Sequence, residues 1–368
     1  MGKTMNEYFK SIGMTSDYKL SSIPCEVCDG KDFIDVLKKA RIGGSGVYGD
    51  LPVKGCKRCG YIMINPRYEK QFYIDYYRRA YRKVTHGSAK PKVEYIENQK
   101  YRGKKILEYF NKFSTNIGDM LDLGCGAGAT MLPFTETGWR CVGIDPDEVS
   151  VETGTKDLGL NVRLGEAESM DFADGMFDLI VCLGTMEHCY DLNVSMRAVK
   201  RALKNNGIFL MRNRAEHVWG SVIEYFSNNH YRYFTSSTLK LLMARYGFEI
   251  EDITYDPIEG IPGEFYVLAR SREEVSVDRV NKKILGGLKD DILERKKYFK
   301  DRQGEFIEKS KYLLRLVEEK KHNYALLAEE IRSGKHTGVT IMVEGSAVDA
   351  VKRAVIEARG ALENPIVD

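Results

Sequence analysis

A chain of 368 residues with 43% apolar residues and a net charge of +3, from 56 Lys+Arg against 53 Asp+Glu, has room for two or three globular domains. The near-balance of charge argues against nucleic acid as the main partner. No apolar run approaches the ~18 residues of a membrane span, and the polar start Met-Gly-Lys-Thr-Met-Asn-Glu-Tyr lacks a signal core, so a cytoplasmic protein without a membrane span is expected.

Residues 1–24 are polar and weakly periodic and read as a loose or partly helical arm. Residues 25–66 hold two Cys-x-x-Cys pairs, Cys25/Cys28 and Cys56/Cys59, around a strand at Phe33–Leu37 and a Gly-rich loop from Gly43. Each pair places two thiolates on one ion, and two pairs complete a closed tetrahedral zinc site, structural because no position is left for water. A redox pair is the alternative. The other four cysteines, Cys125, Cys141, Cys182 and Cys189, read as small apolar fillers. Residues 67–112 are rich in Tyr, Lys and Arg, with helical spacing from about Lys92 to Phe110; they read as a connector over the mouth of the next domain.

From 113 to 271 strands and helices alternate, the pattern of a mostly parallel sheet covered on both faces. Strands are predicted at 120–123, 140–144, 161–164, 177–183 and 207–211, with closing strands at 248–253 and 264–270. Helices are predicted at 128–138, 147–157, 192–204 and 236–246. The fold class is α/β, Rossmann-like, with a small N-terminal zinc module and a mainly helical extension at 272–368. In that extension Leu285, Ile292, Phe299, Phe306 and Leu313 recur every seventh residue. They read as a helix or helical hairpin on the catalytic domain, or as a homodimer or partner contact.

The first strand runs into a glycine turn, Leu121-Asp-Leu-Gly-Cys-Gly-Ala-Gly128, and the second ends at Asp145. Glycines let the backbone approach a ligand, and an acid after the second strand suits a ribose diol. Gly124, Gly126 and Ala129 nearly satisfy the dinucleotide fingerprint. Asp122, however, would repel a pyrophosphate and attract a cation. S-adenosylmethionine (SAM) has a ribose, an ammonium and a sulfonium and no phosphate. Here the chain resembles the class I SAM-dependent methyltransferases, whose first motif is Asp/Glu-x-Gly-x-Gly-x-Gly. The resemblance implies that Asp122, Gly124, Gly126 and Gly128 wrap the methionine end. It implies that Asp145 takes the ribose, that Ala167 and Glu168 meet the adenine, and that Leu183 and Gly184 line the cofactor. The alternatives are a helix cap for Asp145 and a solvated surface for Glu168.

The second knuckle continues as Cys56-Lys-Arg-Cys-Gly-Tyr-Ile-Met-Ile-Asn-Pro-Arg67. This is similar to the zinc-binding front end of bacterial sugar and polysaccharide-pathway methyltransferases, with the similarity spanning residues 25–270. Glu187-His188 after the fourth strand matches the Glu-His of many small-molecule methyltransferases. The segment around His230, Tyr233, Phe234 and Thr235 resembles the sugar C-methyltransferase stretch Tyr-His-Glu-His-x-x-Tyr-Phe-Ser. Ser227 and Asn228 stand where that family has Tyr and His, so two groups that assist a carbanion are absent. A hydroxyl is the better-fitting acceptor, with His230 or His188 as general base. Either His could instead cap or brace a helix start. Glu187, Arg212, Asn213, Arg214, His217 and Tyr233 are candidates for the acceptor side, and two arginines there could grip an acidic or phosphorylated group.

The resulting expectation is methyl transfer to a sugar, nucleotide-sugar or glycan precursor. An RNA methyltransferase gripping RNA through Lys54, Lys57, Arg58, Arg67, Arg78, Arg79, Arg82 and Lys83 is a second reading. A non-catalytic SAM-binding scaffold is a third.

Overall fold

The structure of the protein is a computed structural model in which the described residues are 5–14, 18–42, 47–48, 51–77, 90–215, 226, 230–255, 257–258, 263–273 and short pieces within 297–354, among them 311–316 and 324–332. Its centre is a seven-stranded sheet. The strands are β1 (Asp119–Leu123), β2 (Arg140–Asp145), β3 (Val162–Leu164), β4 (Phe177–Leu183), β5 (Leu203–Arg214), β6 (Phe248–Tyr255) and β7 (Glu264–Ser271), in the order β3-β2-β1-β4-β5-β7-β6. The first five are parallel, and β7 runs antiparallel to both β5 and β6. This is the mostly parallel, Rossmann-like sheet expected from the alternating pattern, and each predicted strand is found.

The strands are apolar on both faces because both faces are covered. On β4, Ile180 and Cys182 face a core shared with Leu192, Met196 and Val199 of the helix Leu192–Ala202. Leu179 and Val181 face the opposite core, with Phe110, Phe134 and Trp139. The period of two along the strand thus splits one apolar run between two layers. The helix Val93–Phe110 lies so close to the turn after β1 that a Cβ on Gly103 would stand 2.2 Å from the Thr130 carbonyl oxygen.

Strand order reverses at β1, between β2 and β4, so the carboxyl ends of these three strands open a crevice where ligands bind in such sheets. Helix caps leave that crevice free. Asp147 caps the helix after β2, accepting from the Ser150 amide at 3.1 Å. Asp191 caps the helix after β4, and Thr235 caps the helix Ser236–Arg245 in a reciprocal box with Thr238. The N-caps of these three helices are thus Asp147, Asp191 and Thr235.

A second, antiparallel sheet joins Phe33–Leu37, Val53–Cys56 and Ile62–Ile64 at the N-terminus to Arg232–Tyr233, far along the chain. Its apolar face meets the helix Lys70–Tyr76 through Phe72, Tyr73 and Tyr76, together with Phe9, Tyr231 and Tyr233. In the extension, 311–316 is helical, Tyr324–Arg332 is a helix, Leu313, Leu316 and Leu327 are buried, and Lys320 pairs with Glu330 at 2.9 Å. Leu285, Ile292, Phe299 and Phe306 lie outside the described residues. Among the described residues no helix is long and apolar enough to cross a membrane.

Candidate active site

The four paired cysteines converge as their spacing predicts. Cys25 and Cys59 sulfurs lie 3.5 Å apart, Cys28 and Cys56 3.6 Å apart, and all four within 4.8 Å of one another. A tetrahedron of thiolates at ~2.3 Å from zinc has edges of about 3.8 Å, so the donor set fits that ion. No disulfide joins them.

At the sheet's carboxyl edge lies a cleft of about 580 Å³. Gly124 and Gly126 line it, with φ of +74° and +56° that favour glycine. Asp145 lines it from the end of β2. Its carboxylate accepts from the Gly126 amide at 2.8 Å and the Asp147 amide at 2.9 Å, which ties the glycine turn to β2 and aims the acid. Ala167, Glu168, Leu183 and Gly184 line the same cleft. Glu168 also accepts from the Asp191 amide at 3.1 Å, so it is held rather than merely solvated.

Asp122 sits beneath the turn, 2% exposed, and its Oδ2 has no hydrogen-bond partner among the described residues. Burial, with the Asp145 charge beside it, pushes its pKa up to about 7. An orphaned buried carboxylate next to a second acid is a place built for positive charge, which fits the cationic methionine end of SAM and not a pyrophosphate.

Gly128, like Asp122, does not line the cleft, and a Cβ there would meet Met131, Val162 and Leu160 at 2.7–3.3 Å. Its left-handed φ of +79° and the tight packing behind the turn require the glycine.

The far end of the cleft carries Glu187, His188, Arg212, Arg214 and His230. The two imidazole rings are 4.6 Å apart, and Tyr77 from the connector makes a 2.7 Å hydrogen bond to His188 Nδ1. His230 has its pKa lowered well below 6.5, first by burial and then by Arg214, His188 and Arg212, so it is neutral near pH 7. Glu187 is 5% exposed, with Oε2 unpartnered among the described residues and its pKa raised by burial. Donor atoms of Glu187, His188 and His230 lie within 4.8 Å of one another. The guanidinium of Arg212, 4.0 Å from Glu187, already supplies positive charge there, which favours proton transfer over a bound cation. Arg212 also pairs at 3.0 Å with Glu264, which Arg102 grips from the helix Val93–Phe110.

Two acceptor-side candidates fall elsewhere. Asn213 alternates away from Arg212 and Arg214 along β5 and is buried, facing a cavity of about 20 Å³. Tyr233 is buried against Phe226, in the second sheet, and lines that same small cavity, which Glu187, Arg214 and His230 of the cleft border as well. His217 lies outside the described residues. Arg67, proposed for RNA, is buried and bonded to Glu26. Tyr73, Tyr77 and Tyr95 of the tyrosine-rich connector also line the cleft, as does Tyr190 after β4, whose place no sequence pattern signals.

Part of the chain is similar to known proteins. Residues 121–211 match the family model described as a methyltransferase domain. An uncharacterized methyltransferase, YcgJ of Bacillus subtilis, is 39% identical over 98 residues, a match covering 25% of this chain and 39% of that protein. A ubiquinone biosynthesis O-methyltransferase of Bartonella quintana is 27% identical over 183 residues, covering 43% of this chain and 74% of that protein. The solved structure of PH0226 from Pyrococcus horikoshii aligns over 55% of this chain and 100% of its own, with 19% identity and a TM-score of 0.40. These matches support a SAM-dependent methyltransferase domain over residues 121–211.

Proposed function

We propose that the protein transfers the methyl group of SAM to a hydroxyl of a small, polar acceptor, a sugar, nucleotide-sugar or related glycan precursor. The observation that carries this is one cleft with two unlike ends: the Gly124–Asp145 turn with Asp122 beneath it, and the His188/His230 pair beside Arg212 and Arg214. SAM supplies an already activated methyl on its sulfonium. Asp145 accepts from the ribose hydroxyls, Asp122 offsets the positive charge, and Ala167 and Glu168 flank the adenine. The cleft then has to hold acceptor oxygen, methyl carbon and sulfur in line, and that positioning supplies much of the rate. His230, kept neutral by burial, takes the hydroxyl proton as the oxygen–carbon bond forms; His188, braced by Tyr77, orients the acceptor or takes that role itself. The four cysteines hold a structural zinc. In this reading the chain divides into an arm and zinc module (1–66), a connector over the cleft (67–112), the methyltransferase domain (113–271) and a helical extension (272–368).

A second reading, a phenolic hydroxyl as acceptor, is favoured by Tyr73, Tyr77, Tyr95 and Tyr190 around the cleft, whose faces suit a flat ring. The relatives named for ubiquinone biosynthesis support it as well. Mass spectrometry of the zinc-loaded protein with SAM and a panel of nucleotide sugars, phosphorylated sugars, phenolic acids and short RNAs separates these. A gain of one methylene mass on a sugar compound, abolished by His230→Ala and His188→Ala together, is expected. A gain confined to phenols or RNA would overturn the acceptor class. Tight SAM binding with no transfer to any hydroxyl compound would favour the scaffold.

A further inference from the structure

Glu26 lies between Cys25 and Cys28 in the first knuckle, yet its carboxylate does not face solvent. It is 4% exposed and sits among two buried arginines from distant parts of the chain. Arg232 donates to it from Nε at 2.8 Å and from Nη2 at 2.6 Å, and Arg67 from both terminal nitrogens at 3.2 Å. The bidentate fork fixes the plane of the Arg232 guanidinium, which leaves its remaining N–H directions no freedom. Those directions end on the loop after β4. Arg232 donates to the carbonyls of Met186, Cys189 and Tyr190, and Arg67 donates to that of Tyr190. Tyr231, whose ring stacks on both guanidiniums, donates its hydroxyl to the carbonyl of His188.

Four of the five carbonyls from Met186 to Tyr190 are thereby taken up by this cluster. The loop that presents Glu187 and His188 to the cleft has almost no backbone hydrogen bonding of a regular element to hold it, so its carbonyls must find partners elsewhere. They find them in groups whose orientation is set from the cysteine knuckle.

We propose that Glu26 is a positioning residue for methyl transfer: through Arg232 and Arg67 it fixes the loop bearing Glu187 and His188, and the four-cysteine module serves as the anchor of that loop. The inference rests on the reading of the cleft as catalytic, but its test needs no acceptor. Histidine is rare here, with six in the chain, so imidazole nitrogen resonances of 15N-histidine-labelled protein can be followed one by one. The measurement uses the full-length, zinc-loaded protein saturated with SAM, with zinc content and SAM affinity determined on the same samples.

Glu26→Gln should keep its zinc and bind SAM within about threefold of wild type, because the glycine turn and Asp145 lie on other strands. The His188 and His230 resonances should shift or broaden. Glu26→Asp, which retains the charge, should restore them in part. Asp29→Asn removes an exposed ion pair with Arg245 across the same boundary, 2.9 Å in length, and should leave them in place. Should Glu26→Gln fail to fold, Arg232→Lys tests the same link, since an ammonium keeps the charge and loses the fork; it should move the same two resonances. Unchanged His188 and His230 resonances in Glu26→Gln or Arg232→Lys, with zinc and SAM retained, would overturn the proposal. An equal shift in Asp29→Asn would do so too, since the effect would then belong to the boundary in general.

Discussion

Asp122→Asn isolates the electrostatic half of cofactor recognition. In the free enzyme burial, and after it the Asp145 charge, push the Asp122 carboxyl up to about 7. At ~1.36 kcal/mol per unit, holding it ionised costs the fold up to about 4 kcal/mol. A folded-state pKa raised above the unfolded one gives stability that is present below pH ~3.9 and is lost as pH rises through about 7. Wild-type protein without SAM should therefore lose melting temperature between about pH 4 and 7, and Asp122→Asn should flatten that part of the curve. Cofactor binding runs the other way. A cationic ligand favours the ionised form, so wild-type SAM affinity should rise with pH up to about 7 and level off above, with a proton released on binding at pH 6. Hydrogen bonds to charged groups contribute ~1.5–3 kcal/mol, so Asp122→Asn should weaken SAM about 10- to 150-fold at pH 8 and abolish both the pH slope and the proton release. Isothermal titration calorimetry of SAM at pH 6, 7 and 8, in buffers of different ionisation enthalpy, reads all three. A variant that binds SAM as tightly as wild type with the same slope would refute the assignment of Asp122 as the counter-charge.

Three further outcomes follow from the same geometry. If His230 is the base, its lowered pKa keeps it neutral at pH 6.5, so the acid limb of the kcat profile should fall below that value, and His230→Ala should cost ~10²–10⁴-fold in kcat; a limb centred above pH 7 would exclude it. Tyr77→Phe removes the 2.7 Å bond to His188 Nδ1 and should lower kcat about fivefold, roughly the ~1 kcal/mol of one hydrogen bond, with SAM affinity unchanged by calorimetry. Cys56→Ala, or chelation in mild denaturant, should release one zinc per chain by atomic emission and lower the melting temperature by more than about 8 °C, because binding energy at a structural metal site is folding energy; an unchanged melting temperature would mean that the thiols hold no structural ion.

The sheet was legible because its signals are local. Glycine turns, a period of two split between two cores, and an acid at a strand end each occupy a few consecutive residues. Placement at the cleft was also legible for Asp145, Glu187 and His188, since each follows a strand whose carboxyl end opens on that crevice; His230 reaches it from the second sheet. The rest has a different cause. Asn213 alternates with Arg212 and Arg214 along β5 and meets the small cavity beside the cleft. Gly128 belongs to the glycine motif, and close packing against Met131 and Val162 demands it as well. Tyr77 meets His188 across 111 residues of chain, and Glu26 meets Arg232 across 206. No periodicity carries such pairings; they exist only once the second sheet closes through Arg232–Tyr233.

That closure explains where the fold breaks its own local rules. Buried polar groups are normally paired, because an unmet one costs ~1–3 kcal/mol. The deeply buried ion cluster of Glu26, Arg67 and Arg232 binds its charges to one another and to loop carbonyls, in the second sheet and away from the cofactor turn. Asp122 and Glu187 carry oxygens without partners among the described residues, one under the glycine turn and one on the loop that the cluster holds. Sites that violate local consistency are where function is expected. Here the ion network is the scaffold, Glu187 lines the cleft on the loop it holds, and Asp122 lies beneath the glycine turn. A substitution in the network should therefore act on the geometry of the site, whereas Asp122→Asn acts on its charge, and the two classes should separate in calorimetry and in the histidine resonances.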